Sequence, residues 1–409
     1  MELTFDLPDE DEDDMMLISP GGALAGMGAP PPLAAELATG DKLLGQAGGE
    51  YIVSSEVPIG TGTSGKVYAA TVASSGLPVA VKVIDRMEID GRPDKITQLT
   101  RELNITRKLK HANIINLLDI VFDDIRAMLV MEMADGGMLF DLVSGGTPLP
   151  EERARYLFKQ MVAAMSYCHD EKIYHRDLKL ENVMITSDGS DVLKIADFGA
   201  SKDASINSLP KTQVGTISYM APEVTNVNKK ESGSSYGAGA DIWSLGVILY
   251  VLVCCKYPFG FDGPKRHGGI QAHKVYENIR RGADAVDFPE SISPELVELL
   301  RGIFTVKVPS AESGEAADGE PVRWSLAQIR ECAWLQAGDP YVPPPLVSEA
   351  QIPEIIWCAF ALHTLPHQHW HTPHTSCSLL YTHSSRGCRC AYTQAGLCRW
   401  GRVGRRWWR

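Results

Sequence analysis

The chain lacks a long apolar run, a paired set of cysteines and a surplus of basic residues. No stretch of its 409 residues reaches 18 consecutive apolar positions, and the best candidate, Leu245 to Cys255, predicts a buried core helix. Four of the nine cysteines fall before residue 340, in apolar or helical settings without a paired framework. We therefore expect a reduced compartment, cytoplasmic or nuclear, and no membrane partner. A net charge of −12 disfavours nucleic acid as a partner.

The first 50 residues are acidic and then rich in Gly, Ala and Pro. Eight Asp and Glu residues lie within positions 2–14, where a secretory signal would carry basic and apolar residues. Such a composition buries too little apolar surface to offset the entropy lost on ordering. Residues 1–50 are thus predicted to be disordered, either as a solvating tail or as an acidic docking segment for a basic partner.

Residues 51–337 have the pattern of a globular domain. Apolar runs such as PVAVKVI, separated by Gly and Ser, predict antiparallel strands and hairpins. After about residue 150, runs such as ARYLFKQMVAAMSYCH have helical period. This order predicts an α+β fold with two unequal lobes, a strand lobe over 51–133 and a helical lobe over 134–337.

A glycine-rich stretch, GTGTSGKV, occupies residues 60–67. Gly60, Gly62 and Gly65 leave no side chain between backbone amides and an approaching phosphate. Alone, the pattern is equally compatible with a tight turn or a dinucleotide fingerprint, but the latter needs a helix directly after the third glycine. A strand-like run, KVYAATV, follows instead.

Lys82 lies in the next predicted strand, at an alternating position between Val81 and Val83. It either points to solvent or faces a cleft beneath the glycine stretch, where it would neutralise nucleotide phosphates. In the second case it needs an acidic partner, and Glu102 in a helical run is available. An ordinary exposed helix position is the alternative for Glu102.

The stretch IYHRDLKLENVMI, residues 173–185, places a dense set of polar groups between two apolar runs. Phosphoryl transfer requires mainly positioning and neutralisation of charge. Asp177 suits the group that orients the incoming hydroxyl, and Lys179 suits the cation beside the moving phosphoryl. Asn182 and Asp197, the latter in IADFGA, suit the ligands of the metal ions.

Together these motifs resemble those of the eukaryotic protein kinases. GTGTSGKV, VAVK, HRDLKLEN, DFG, APE and DIWSLG occur in that family's order, over residues 51–337. The resemblance implies a bilobal kinase fold, with ATP and Mg²⁺ bound between the lobes and protein hydroxyls as acceptors. It assigns catalytic roles to Lys82, Glu102, Asp177 and Lys179 and metal binding to Asn182 and Asp197.

The same resemblance implies further ATP contacts and structural residues. The hinge after Met131 would hold adenine, with Met184 below the ring. The implied ATP contacts are Gly60, Thr61, Gly62, Gly65, Val67, Ala80, Lys82, Glu132, Met133 and Met184. The implied structural residues are His175, Arg176, Phe198, Gly199, Glu223, Asp241 and Arg323, with Glu223 and Arg323 forming a pair.

Lys179 is typical of serine/threonine kinases, because tyrosine kinases have HRDLAARN at this place. The segment ASINSLPKTQVGTISYMAPEV is similar to that of the plant sucrose-non-fermenting-related kinases, within the AMP-activated group. That likeness implies activating phosphosites at Thr212 and Ser208, an upstream kinase, and a role in stress or nutrient signalling. Arg176 would pair with a phosphate at Thr212. The alternative is that Thr212 is merely an exposed loop hydroxyl.

Two departures from the family pattern matter. Met138 stands where basophilic relatives have Glu, which reduces the expected preference for Arg before the phosphosite, although Glu181 remains. An acidic insertion at about 310–322 precedes Arg323. Rival interpretations are a pseudokinase scaffold, a calcium/calmodulin-group kinase and a small-molecule kinase.

Beyond residue 338 the resemblance ends. Six of the 11 His and five of the 9 Cys lie in this tail. Their spacing fits no standard zinc pattern, because Cys388 and Cys390 are separated by a single residue. A disordered tail is the expectation, with metal binding or contact with an anionic surface as alternatives.

Overall fold

Strands fill the first part of the described protein and helices fill the second. The structure is a computed structural model, and it describes residues 36–62, 65–86, 92–123, 125–198, 202–203, 214–225, 235–260, 268–307 and 322–344. All of these ranges belong to one compact unit of the chain. The predicted α+β architecture with a strand lobe and a helical lobe is confirmed.

A seven-stranded antiparallel sheet forms the first lobe. Its order is β1-β2-β4-β5-β7-β6, with β3 paired to β4. The strands are β1 Lys42–Leu44, β2 Glu50–Val53, β3 Gly60–Gly62, β4 Gly65–Val72, β5 Pro78–Asp85, β6 Leu117–Phe122 and β7 Arg126–Glu132.

The alternation within β5 decides which way Lys82 points. Val79 and Val81 lie in the apolar cluster on one face of the sheet. Ile84, on the other face, joins the cluster formed with Leu99 and Leu103 of helix α1, Pro93–Lys108. Because side chains of a strand alternate between faces, Lys82 shares the face that α1 covers.

Residues 36–50 are ordered, although the sequence predicts disorder over residues 1–50. Strand β1 pairs with β2 in the register Lys42 to Ile52, and Leu37 is only 1% exposed inside the first-lobe core. The prediction was wrong for residues 36–50, because Leu37 and Leu43 supply apolar surface that the sheet buries. Residues 1–35 lie outside the described part of the chain.

The second lobe is built around two long helices, α2 and α4. Its helices are α2 Glu151–Asp170, α3 Pro222–Thr225, α4 Ser235–Cys254, α5 Gly268–Arg281, α6 Pro294–Ile303, α7 Leu326–Glu331 and α8 Ala333–Gln336. Short strands accompany them: β8 Ile173–Tyr174, β9 Val183–Ile185, β10 Leu193–Ile195 and β11 Lys202–Asp203. β9 pairs with β10 and β8 with β11, both antiparallel.

Helix α4 is apolar on all sides and lies in the core of the second lobe. By length and composition its segment Gly237–Cys254 could cross a membrane, but 83% of that segment is buried inside the protein. Trp243 and Leu245 are fully buried there. A helix that is hydrophobic all round is expected in such a core, and the sequence prediction of a buried helix agrees with this.

The predicted tail also begins too early. Lys159 Nζ on α2 donates to the backbone carbonyls of Ala337 and Asp339, at 2.9 and 2.8 Å. Residues 338–344 therefore pack on the domain, and the predicted boundary at 337 was wrong. The two hydrogen bonds from Lys159 to backbone carbonyls leave no recognisable pattern in the sequence, so the sequence could not predict them.

Candidate active site

Lys82 and Glu102 form a buried ion pair between β5 and α1. Lys82 Nζ lies 2.8 Å from Glu102 Oε1, and both residues are less than a tenth exposed. Burial alone would lower the pKa of Lys82, but the Glu102 and Asp197 carboxylates raise it above its ordinary value. Lys82 is thus held as a cation, and neither residue is the solvent-facing group of the alternative interpretation.

Asp197 completes a cluster with this pair. Its Oδ1 lies 3.9 Å from Lys82 Nζ, and its φ of 60° is an uncommon conformation for a residue other than glycine. The next residue, Phe198, is buried with its ring centroid 4.8 Å from that of His175. This buried ring holds the backbone that presents Asp197 to Lys82.

Asp177, Lys179 and Asn182 meet on one loop between β8 and β9. Lys179 Nζ donates to Asp177 Oδ2 at 2.8 Å. Asn182 Nδ2 donates to the Asp177 carbonyl at 2.8 Å and to its Oδ2 at 3.3 Å. The Asn182 carbonyl accepts from the amide of Ala196 at 2.8 Å, which ties this loop to the residue before Asp197.

Asp241, near the start of α4, holds the loop between β8 and β9 in place through its carboxylate. Its two carboxylate oxygens accept the backbone amides of His175 at 2.9 Å and Arg176 at 2.7 Å. His169 Nε2 lies 2.9 Å from Oδ2. Burial alone would raise the pKa of Asp241, but the hydrogen bonds and charges around it lower that pKa below its usual range. The carboxylate also stabilises Arg176 at its positive φ of 65°.

The glycine stretch forms the hairpin of β3 and β4. Gly65 has a φ of +130°, and a Cβ there would lie 2.1 Å from the carbonyl oxygen of Val83. Gly65 is therefore required by the close approach of β4 and β5. Gly60 meets no such obstacle, and Thr61 pairs with Lys66 across the hairpin. Residues 63–64 lie outside the described part.

Comparison with known proteins identifies this arrangement. Residues 53–313 match the protein kinase domain family. Rice serine/threonine-protein kinase SAPK9 is 38% identical over 295 residues, 72% of this chain and 73% of SAPK9. Human testis-specific serine/threonine-protein kinase 3 is 43% identical over 206 residues, 49% of this chain and 73% of the relative. This chain belongs to the serine/threonine protein kinases.

The predicted likeness to plant kinases of the sucrose-non-fermenting-related type is confirmed by these relatives. Rice CBL-interacting protein kinase 28 is 36% identical over 289 residues, 69% of this chain. The kinase chain spans only 58% of the length of that relative, and between 40% and 56% of several others.

The kinase hinge contains a buried ion pair that sequence reasoning missed. Glu132 is contacted by Lys194 Nζ and by Asn116 Nδ2, the latter at 3.0 Å. The Glu132 amide donates to the Asn116 carbonyl at 2.9 Å, so this amide is already engaged within the protein. The signal was weak: a lysine between Leu193 and Ile195 in a short strand.

Three of the other implied ATP contacts lie on strands of the two lobes. Val67 on β4 is paired with Lys82 on β5, and Ala80 is buried on the same strand. Met184 on β9 is half-buried, and its backbone forms an isolated antiparallel β-bridge with Met138. Their roles toward adenine, like that of Met133, stay predictions.

The structure places Glu223 and Arg323 in contact, as the kinase family pattern implies. The guanidinium donates to both carboxylate oxygens, at 2.6 and 3.0 Å, and it stacks 4.9 Å above the Trp243 ring. The acidic insertion before Arg323 does not displace this pair. Residues 308–321, like Gly199, Thr212 and Ser208, lie outside the described part.

Proposed function

We propose that the protein transfers the γ-phosphoryl group of MgATP to serine and threonine hydroxyls of other proteins. The observation that carries this proposal is the convergence of Lys82, Glu102 and Asp197 beside the loop of Asp177 and Asn182. These groups come from separate segments, and each has the chemistry that phosphoryl transfer requires. Serine/threonine kinases among the relatives support the choice of acceptor.

The residues present fit a magnesium ion. Asp197 offers a carboxylate whose side chain is 45% exposed, and oxygen atoms are the ligands that Mg²⁺ takes. Asn182 commits its Nδ2 to Asp177, so its Oδ1 is the acceptor that remains for a cation. MgATP, when bound, would supply the transferable phosphoryl group and the metal charge.

The chain's own residues would position the incoming hydroxyl and neutralise the charge of the phosphate groups. Lys82, held as a cation by Glu102, would neutralise phosphate oxygens. The contacts of Asp177 gather on Oδ2, which leaves Oδ1 to accept the hydrogen of the incoming hydroxyl. Lys179, fixed on Asp177, would stabilise the charge of the moving phosphoryl.

Regulation by phosphorylation belongs to the same proposal. Thr212 is the activating site proposed for an upstream kinase, and Ser208 is a second one. A phosphate at Thr212 would order its segment by pairing with Arg176, the neighbour of Asp177. We place this activity in stress or nutrient signalling in the cytoplasm or nucleus. The free thiols of Cys168, Cys254, Cys255 and Cys332 in the described part support a reducing compartment.

The test compares the purified wild type with Lys82→Met, using radiolabelled MgATP and a generic basic protein substrate. We expect phosphate on serine and threonine with the wild type, and a loss of about 100-fold or more in the variant. Mass spectrometry of the wild type then checks Thr212 and Ser208. Equal, background-level incorporation by both proteins would favour the pseudokinase scaffold and sink the proposal.

A further inference from the structure

The segment after the last described helix lies along helix α2 and contacts the turn that follows α1. We call residues 337–344 the strap. It starts from α8, where Trp334 Nε1 donates to Glu151 Oε2 at 2.8 Å and Arg155 lies 4.8 Å over the Trp334 ring. Lys159 then fixes the strap through two backbone carbonyls. Contacts at both positions keep the strap on the first half of α2.

Tyr341 makes the contact that leads away from α2. Its hydroxyl donates to Asn113 Oδ1 at 2.6 Å, and its ring packs edge-on against Tyr156 with 6.0 Å between centroids. Burial raises the pKa of Tyr341, so the hydroxyl keeps its hydrogen at neutral pH. Through Tyr341 the strap is therefore joined by a short hydrogen bond to Asn113, which lies in the turn after α1.

Asn113 is fully buried and uses its whole side chain. Its Nδ2 donates to Gln160 Oε1 at 2.8 Å and to the Leu193 carbonyl at 3.0 Å, while Oδ1 accepts from Tyr341. A buried amide oxygen that loses its donor pays the desolvation penalty without compensation. The Tyr341 hydroxyl thus completes the bonding of a side chain that joins α2, β10 and the turn after α1.

The turn after α1 connects the segment that carries Glu102 with the segment that carries Asp197. It follows α1, which carries Glu102, and it exchanges backbone hydrogen bonds with β10. The Ile195 amide donates to the Asn113 carbonyl at 2.8 Å, and the Ile115 amide donates to the Ile195 carbonyl at 2.9 Å. Ile195 stands two residues before Asp197. A shift of the turn would therefore move Glu102 and Asp197 relative to each other.

We propose that Tyr341 is a positioning residue, which acts through Asn113 to hold Glu102 and Asp197 in register around Lys82. The strap would then affect nucleotide binding, although it contacts none of Lys82, Glu102 and Asp197. This inference rests on the proposed kinase function for its consequence, and on the hydrogen bonds alone for its structural half.

The test uses the full chain with Tyr341→Phe, which removes the hydroxyl and keeps the ring against Tyr156. The matched control is Val342→Ala, on the same strap, where the side chain is 77% exposed. Hydrogen exchange reads the amides of Ile115 and Ile195 directly. We expect exchange at least about fivefold faster in Tyr341→Phe and unchanged in the control.

The second readout is the affinity for a non-hydrolysable MgATP analogue, measured by calorimetry so that it does not depend on turnover. We expect this affinity to weaken about three- to tenfold in Tyr341→Phe. If the wild type is an active kinase, KM for ATP should rise by a similar factor. Unchanged exchange at Ile115 and Ile195 would overturn the inference. So would faster exchange with unchanged nucleotide affinity, because the strap would then only stabilise the fold. A wild type that binds the analogue but transfers no phosphate would instead contradict the proposed function.

Discussion

At the scale of single residues, burial separates the functional ion pair from an ordinary one. Lys82–Glu102 and Lys108–Glu171 have nearly the same length, 2.8 and 2.7 Å. The side chains of the first pair are about a tenth exposed, whereas those of the second are 54% and 40% exposed. A buried charge that loses its partner is costly, and an exposed pair contributes little.

Glu102→Gln is therefore expected to lower kcat/KM for ATP strongly. Loss of a charge-assisted contact of about 1.5–3 kcal/mol corresponds to about 10- to 150-fold. The control is Glu171→Gln, for which we expect a change within about twofold. Steady-state kinetics with varied ATP measures both. An equal effect of the two substitutions would mean that burial does not decide the role of Glu102.

At the scale of elements, α4 positions the catalytic loop without taking part in the chemistry. Asp241 sits in the part of α4 that is packed on the loop, and its carboxylate holds two successive backbone amides. The rest of α4 is apolar and buried, so the helix cannot shift without opening the core. The position of Asp177 is thus set by the packing of a helix more than 60 residues later in the chain.

Asp241→Asn should change the acid side of the stability profile. The folded-state pKa of Asp241 is lowered, so its ionised form stabilises the fold above the unfolded-state pKa of about 4. That stabilisation is lost as the pH falls through the lowered folded-state pKa. We expect Asn to cost about 1–3 kcal/mol at pH 7 and to flatten the loss of stability below pH 4. Urea denaturation from pH 3 to 7 measures this.

The control for the Asp241 experiment is Glu290→Gln, at an exposed carboxyl of the same lobe. Its profile should parallel that of the wild type at every pH. If the Asp241→Asn profile also runs parallel to the wild type on the acid side, the lowered pKa of Asp241 does not contribute to stability.

At the scale of the whole molecule, contacts between distant segments close the second lobe. Arg323 reaches Glu223, the Gly239 carbonyl and the Thr305 carbonyl from a side chain that is 1% exposed. Its partners span 82 positions of the chain, from 223 to 305. One buried guanidinium, with its planar set of donors, therefore joins α3, α4 and the end of α6.

Arg323→Gln is expected to destabilise the fold by about 3–5 kcal/mol, because it leaves Glu223 without its buried partner. Arg330→Gln, at an exposed position of α7, should change stability by less than about 0.5 kcal/mol. Chemical denaturation of both variants under identical conditions gives the comparison. A loss below about 1 kcal/mol for Arg323→Gln would show that the pair contributes little to stability.

The sequence could predict most of the active site because its chemistry is local to short motifs. Asp177, Lys179 and Asn182 lie within six positions, and the requirement for each type follows from charge and hydrogen bonding. The same reasoning missed Lys194 at the hinge. A buried lysine in a strand is indistinguishable from an exposed one until its partner, here Glu132, is known to lie opposite.

By itself, the sequence determined the order of strands and helices and the identity of the reactive groups, since periodicity and side-chain chemistry are properties of short segments. Only the tertiary structure showed that segments on either side of the predicted domain, within residues 36–50 and 338–344, pack against it. Leu37 and Tyr341 occur in stretches whose composition suggests a solvated chain, yet both are held by groups far away in sequence. Such contacts depend on which surfaces meet after folding, and composition does not encode that.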